Sequence, residues 1–239
     1  MRVAIIAALP GELKPLVKDW QQIRTGDRRT KKWVTSRSDN IWIAVCSGMG
    51  AEAARRAYAN AVADGPVDML FSVGWAGALA PEILPGTVHI PMVVIDAQTG
   101  ERFSHSKSER RNALVTTVGV ADSAEKARLA ATYPGALLVD MEGATISRLA
   151  VMNGIPALCI KGISDAFEAK VPNLNPFINE DGQLNLMRFL PHVALRPRYW
   201  RSLIHLGTNS AQAAYAMRDL VMEFMKEGNV EKVVRAGSF

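Results

Sequence analysis

The chain has 239 residues, 49% hydrophobic and 21% charged, enough for one large domain with a real core and typical of an ordinary soluble globular protein. Its 28 basic against 23 acidic residues leave a net charge of +5. That excess suits an anionic ligand or surface but is too dispersed to argue for nucleic acid. No apolar run reaches membrane-spanning length, and Cys, His and carboxylates show no metal-ligand spacing.

The run Val3–Ala8 has the pattern of a strand covered on both faces. It is too short for a signal peptide and stops at Pro10-Gly11-Glu12, so Glu12 follows a strand end. Residues 13–20 are expected to form a short helix. Trp33–Ser36 and Ile41–Cys46 flank Ser38-Asp39-Asn40, a hairpin signal. Ser47-Gly48-Met49-Gly50 then opens an alanine-rich helix, Ala51–Ala63. A glycine pair before a helix can cradle an anion, but spacing alone favours a tight strand-to-helix turn.

Asp68–Val73 is a further buried strand, ending in Gly74-Trp75-Ala76-Gly77-Ala78. Residues this small let a ligand or another backbone come close. Trp75 among them is either a pocket wall or a core plug. Pro85-Gly86 precedes a strand over Thr87–Ile95, and the polar stretch 97–111 is a surface loop. Ala113–Val120 is strand-like, and Ser123–Thr132 is a helix with Ser123 as its N-cap. The buried-strand setting of Cys46 and Cys159 points to reduced thiols and a cytoplasmic protein.

Ala136–Phe167 organises the rest. A strand, Ala136–Val139, leads into Asp140-Met141-Glu142. A helix from about Gly143 to Met152 stops at Asn153-Gly154, and a second strand, Ala157–Ile160, ends at Gly162-Ile163-Ser164-Asp165. In a β-α-β unit the two strands are parallel, so Glu142 and Asp165 share the sheet edge where open α/β sheets bind ligands. After Asp165 the chain becomes loop-like. Residues 188–206 then mix arginines with apolar side chains, a basic amphipathic stretch that can pack on the core, on a partner or on a membrane surface. Asn209–Lys226 is a long amphipathic helix. The expected fold is α/β, one domain over residues 1–226 with a central mixed, mostly parallel twisted sheet flanked by helices, and a C-terminal tail, 227–239.

Glu12, Glu142 and Asp165 each follow a buried strand, beside Gly74-Trp75. Each alone is explained by a helix start or a turn. Together they bring an acid and a base into one pocket, the equipment for glycoside-like cleavage through an oxocarbenium transition state.

These residues resemble the nucleoside phosphorylase/nucleosidase superfamily, most closely its methylthioadenosine/S-adenosylhomocysteine nucleosidase branch. The resemblance rests on RVAIIAALPGEL (Arg2–Leu13), SGMG (Ser47–Gly50), GWAGALAP (Gly74–Pro81), VDMEGA (Val139–Ala144) and Ile163-Ser164-Asp165, in register, and it weakens after Phe167. It implies Glu12 as the base that activates water and Asp165 as the acid that protonates the purine. It implies Glu142 on the ribose hydroxyls, Met141 against the sugar, Val120, Ala121 and Asp122 at the base, and Gly74 and Trp75 as further substrate-binding residues. It also implies a small-molecule nucleoside as partner, no metal or other cofactor, and a homodimer or higher homo-oligomer.

The chain departs from the family pattern in two places. Trp75 stands where the family carries a serine or threonine that helps phosphorylases bind phosphate, and Ser72 where phosphorylases carry an arginine. Hydrolysis is therefore expected over phosphorolysis, with Arg55 or Arg56 as remaining candidates to bring a cation. Residues 167–206 are also longer, more apolar and more basic than the usual tail. Three alternatives stay open: a large apolar 5′-group, as in adenosylhopane, with peripheral membrane contact through 188–206; a purine nucleoside phosphorylase; and a non-catalytic nucleoside binder.

Overall fold

The computed structural model describes residues 1–104, 112–226 and 229–230. Residues 105–111 of the expected surface loop and most of the 227–239 tail lie outside the described residues. The strands are β1 (Arg2–Ala7), β2 (Gln21–Ile23), β3 (Lys31–Arg37), β4 (Asn40–Cys46), β5 (Met69–Ala78), β6 (Val88–His89), β7 (Val93–Asp96), β8 (Arg102–Ser104), β9 (Ala113–Thr116), β10 (Ala136–Asp140) and β11 (Ala157–Asp165). The helices are α1 (Pro10–Leu13), α2 (Ala51–Val62), α3 (Ser123–Thr132), α4 (Gly143–Asn153), α5 (Leu186–Ala194) and α6 (Trp200–Phe224).

The strands form one mixed sheet in the order β2-β3-β4-β1-β5-β10-β9-β7-β8, with β11 and then β6 branching from β5. Its interior pairings β4–β1–β5–β11 and β10–β9–β7 are parallel, and the antiparallel pairs lie at the edges and at the β5–β10 join. Alternate residues of β1 explain its unbroken apolar run. Val3, Ile5 and Ala7 pack under Met217 and Val221 of α6, while Ala4 and Ile6 face Ala54 and Ala57 of α2 and Ile146 of α4. Gly162 sets the height of α6 over the sheet, because a β-carbon there would stand 2.9 Å from that of Ala213. The β3–β4 hairpin closes through Ser38 and Asp39, both at positive φ, as a two-residue turn with the twist of its strands requires.

Several elements differ from expectation. The helix near residues 13–20 is only the single turn α1, because Pro15 cannot continue it. The strand over 87–95 is two, β6 on β11 and β7 on β9, broken at Pro91. The strand at 113 ends at Thr116, where the Thr117 N–H turns to Asp140 O. The N-cap of α3 is Asp122, one residue before Ser123, with its carboxylate accepting from the Ala124 and Glu125 N–H groups. The basic stretch from Tyr199 and the helix from Asn209 are one helix, α6, since Gly207 interrupts it without ending it.

Strands β10 and β11 do not pair with each other. Both pair with β5, β11 parallel along its length and β10 antiparallel to Gly77-Ala78. Strand β5 thus joins the two halves of the sheet, and its Gly74 and Gly77 leave room for the side chains of Glu12, Lys126 and Asp165 against it. Glu142 and Asp165 reach one cavity across β5 rather than as neighbouring parallel ends.

Candidate active site

A cavity of about 260 Å³ opens where β1, β5, β10 and β11 end. Glu12 and Leu9 line it from α1, Trp75 and Gly77 from β5, Met141 and Glu142 from the β10–α4 turn, and Ser164 and Asp165 from β11. Gly119, Val120 and Ala121 close one side, Leu206 and Ser210 of α6 another. The carboxylates marked in the sequence are therefore brought into one space.

Glu12 is 4% exposed and anchored by backbone alone. Its Oε2 accepts the Ala8 and Leu9 N–H groups at 2.8 and 2.7 Å, and its Oε1 accepts the Trp75 N–H at 2.8 Å. Gly74 serves this carboxylate by having no side chain: a β-carbon there would lie 3.0 Å from Oε1. Burial pushes the Glu12 pKa above the usual carboxylate value, outweighing the three N–H donors and the positive charge of Lys161. A base raised in this way is matched to proton abstraction nearer neutrality.

Glu142 accepts the Gly50 N–H at 2.6 Å. Burial, then the neighbouring charge of Asp140, pushes its pKa up to about 8. A carboxyl that is neutral near pH 7 can both donate and accept, which suits a pair of sugar hydroxyls.

Asp165 is held on both oxygens. Its Oδ1 accepts the Ser164 hydroxyl at 2.6 Å, and its Oδ2 is in an ion pair with Lys126. The Lys126 ammonium also donates to Ala166 O at 2.7 Å. Lys161 and Asp140, the latter also lining the cavity, form a second pair at 2.8 Å, completed by Thr116, Gly143 and Ser72. Burial pulls the Lys161 pKa down, but Asp140 and other nearby groups outweigh it and hold the ammonium above the usual lysine range.

Trp75 is both wall and plug. It lines the cavity, packs on the core, and donates its indole N–H to Ser210 O at 2.9 Å. Its ring fits over Gly11, where a β-carbon would stand 2.9 Å from the indole edge. Asp122 does not line the cavity, because its carboxylate caps α3. Val120 does, but its N–H and C=O are both taken by the Asn175 carboxamide, at 2.8 and 3.0 Å.

The Ser47–Gly50 turn is closed from outside. The Gly48 N–H donates to Ala8 O at 2.9 Å, that of Met49 to Gly182 O at 2.8 Å, and that of Gly50 to Glu142. Arg56 ties Ser47 O to Asp181 O, at 2.6 and 2.8 Å, and Arg55 pairs with exposed Glu52. Neither arginine lines the cavity.

Sequence reasoning missed Lys126, Lys161, Asn175 and the segment 179–183. A lysine inside the apolar run 157–163 was a usable signal, since a charge in a buried strand needs a partner. Lys126 gave none, because it occupies an ordinary position on an amphipathic helix. Among the described residues no His/Cys/Asp/Glu cluster suits a metal ion, and no helix is long and apolar enough to cross a membrane.

Solved structures with the same fold include the S-adenosylhomocysteine nucleosidase of Streptococcus pyogenes in complex with 5-methylthiotubericidin. It is 18% identical at a TM-score of 0.70, over 95% of this chain and 96% of that one. The 5′-methylthioadenosine/S-adenosylhomocysteine nucleosidase of S. pneumoniae is 22% identical at 0.64, over 92% and 100%. Futalosine hydrolase of Helicobacter pylori is 14% identical at 0.66, over 93% and 98%. No curated protein sequence matches the chain. The family model described as Phosphorylase superfamily matches residues 2–124 and 99–189, and with most of its length inside those matches the chain belongs to the phosphorylase superfamily.

Proposed function

We propose that this protein is an N-ribosyl hydrolase that cleaves the glycosidic bond of a 5′-modified adenosine and releases adenine. The observation that carries hydrolysis over phosphorolysis is the closed Ser47–Gly50 turn. Its Gly48, Met49 and Gly50 N–H groups all have partners within the chain, which leaves no cradle for phosphate. Water needs only a base, and buried Glu12 provides one.

In this reading water sits between Glu12 and the anomeric carbon. Glu12 takes its proton as the oxygen bonds to carbon. Glu142 holds the ribose hydroxyls and Met141 packs against the sugar. The purine leaves towards Asp165 and takes a proton there, which is worth most in the transition state, when the base would otherwise depart as an anion. An acid and a base in one cavity also favour an enzyme over a passive binder. Relatives of this fold bind methylthio nucleoside analogues, which supports a 5′-thioether substrate.

One observation favours a bulkier 5′-group. The cavity wall Leu206 lies on α6 with Trp200 and Ile204, which with Met187 and Leu195 expose large apolar surface along a stretch that also carries Arg188, Arg196 and Arg201. An apolar and basic surface of this kind suits an anionic membrane and a lipid-like substrate.

The test is adenine release from methylthioadenosine, S-adenosylhomocysteine and an adenosine with a large apolar 5′-substituent, each with and without phosphate. Phosphate-independent release is the expected result. The substrate turned over fastest decides between the two 5′-groups, and strict phosphate dependence would overturn hydrolysis.

A further inference from the structure

Lys126 reaches the cavity from α3 with its side chain only 1% exposed. Its stem crosses the space that Gly77 leaves empty: a β-carbon on Gly77 would lie 2.9 Å from Lys126 Cε and 3.2 Å from both Nζ and Asp165 Oδ2. The ammonium meets the very oxygen that faces this space, and its other acceptor is the neutral Ala166 carbonyl. A buried lysine aimed at the residue that must deliver a proton is more than a surface ion pair. In an ion pair the proton sits on nitrogen, so a carboxylate so paired has none of its own to give.

We propose that the proton for the departing base is held by the Lys126–Asp165 pair, with Lys126 as the positioning and proton-supplying partner that acts through Asp165. This rests on the hydrolase reading above. As the C1′–N bond breaks, its electron pair leaves on the base. An Nζ proton passes to the Asp165 carboxylate, and the resulting acid protonates the base. Lys126 is left as a neutral amine beside the Asp165 carboxylate. Water oxygen bonds to C1′ and its proton goes to Glu12. Solvent then returns a proton to the pair and takes one from Glu12, so charge and atoms balance over the cycle.

The experiment compares two ribosides that share a 5′-methylthio group: methylthioadenosine, whose base needs a proton, and the 4-nitrophenyl riboside, whose phenolate does not. Lys126→Gln keeps a hydrogen-bond donor but holds no transferable proton. Its expected effect is a loss of about 100-fold in kcat on methylthioadenosine at pH 8, with KM within about 3-fold and the nitrophenyl riboside slowed less than about 5-fold. An equal loss on both ribosides would make Lys126 merely structural and overturn the proposal. If Lys126→Gln does not fold, Lys126→Met serves instead, read by the same ratio of rates on the two ribosides: a selective loss on methylthioadenosine supports the pair, and an equal loss on both overturns it. Wild-type protein that cleaves neither riboside would sink the hydrolase reading itself, an outcome distinct from any of these.

Discussion

A β-carbon on Gly182 would stand 2.1 Å from the carbonyl oxygen of Met49. The two residues are also joined by the Met49 N–H···O=C Gly182 bond at 2.8 Å, and Gly182 sits at φ +76. The 179–183 segment is thus fitted to the glycine turn at the closeness of two bare backbones. Gly182→Ala is expected to cost about 1–3 kcal/mol through strain and the forced separation, read as a lower Tm. It should also free the Met49 N–H and, on the hydrolase reading, give the variant a response to phosphate, measured as adenine release with and without it.

Glu142 should make stability depend on pH. Its folded pKa of about 8 lies above the ordinary value of 4.5, so the folded chain keeps this proton longer than the unfolded chain does. The contribution is fully present below pH 4.5 and is lost as pH rises through about 8. Glu142→Gln can still accept the Gly50 N–H through its amide oxygen and carries no charge. Thermal melts should therefore show it gaining on the wild type as pH rises from 5 to 8.5, by the order of a few kcal/mol, while its KM for nucleoside rises.

Glu12→Gln should behave differently, because both carboxylate oxygens are engaged. Three N–H groups point at them, and an amide must turn its NH₂ against at least one. The expected cost is about 1–3 kcal/mol, together with a loss of about 10²–10⁴ in kcat from the missing base. A variant with normal turnover would remove Glu12 from the mechanism.

Gly77→Ala tests the space that the Lys126 stem requires. Its β-carbon would meet Lys126 Cε at 2.9 Å, so it should displace the ammonium from Asp165 and reproduce the leaving-group selectivity of Lys126→Gln. The measurement is again the ratio of rates on the two ribosides.

Asn175 offers Val120 a carbonyl oxygen and an NH₂, the same acceptor–donor pair that an aminopurine edge presents. Asn175→Ala should leave both Val120 groups open and lower KM for adenine nucleosides by roughly 3- to 10-fold, with kcat little changed. An unchanged KM would show that the base does not use these atoms.

Much of this arrangement was legible in the sequence. Continuous apolar runs marked β1, β4 and β5, and Glu12, Glu142 and Asp165 stood out because each follows such a run. The joining of β10 to β5 was not legible, since it is a pairing of residues about 60 apart in the chain that no periodicity reports. Lys126 and Asp165 are 39 residues apart, and Arg56 and Asp181 are 125 apart. No local pattern reports pairings at that separation. Pro15 and Pro91 were visible and did decide where a helix and a strand break, whereas the exchange of Ser123 for Asp122 as cap turned on one residue of phase.

The closed glycine turn also bears on the direction of the reaction. Phosphorolysis keeps the energy of the glycosidic bond in a sugar phosphate and runs back readily. In the hydrolysis proposed above, that energy is dissipated and the free sugar does not recombine with the base at cellular concentrations. On the hydrolase reading, the turn closed by the Met49–Gly182 contact makes the chain a one-way sink for its nucleoside, pulling whatever reaction generates that nucleoside towards completion.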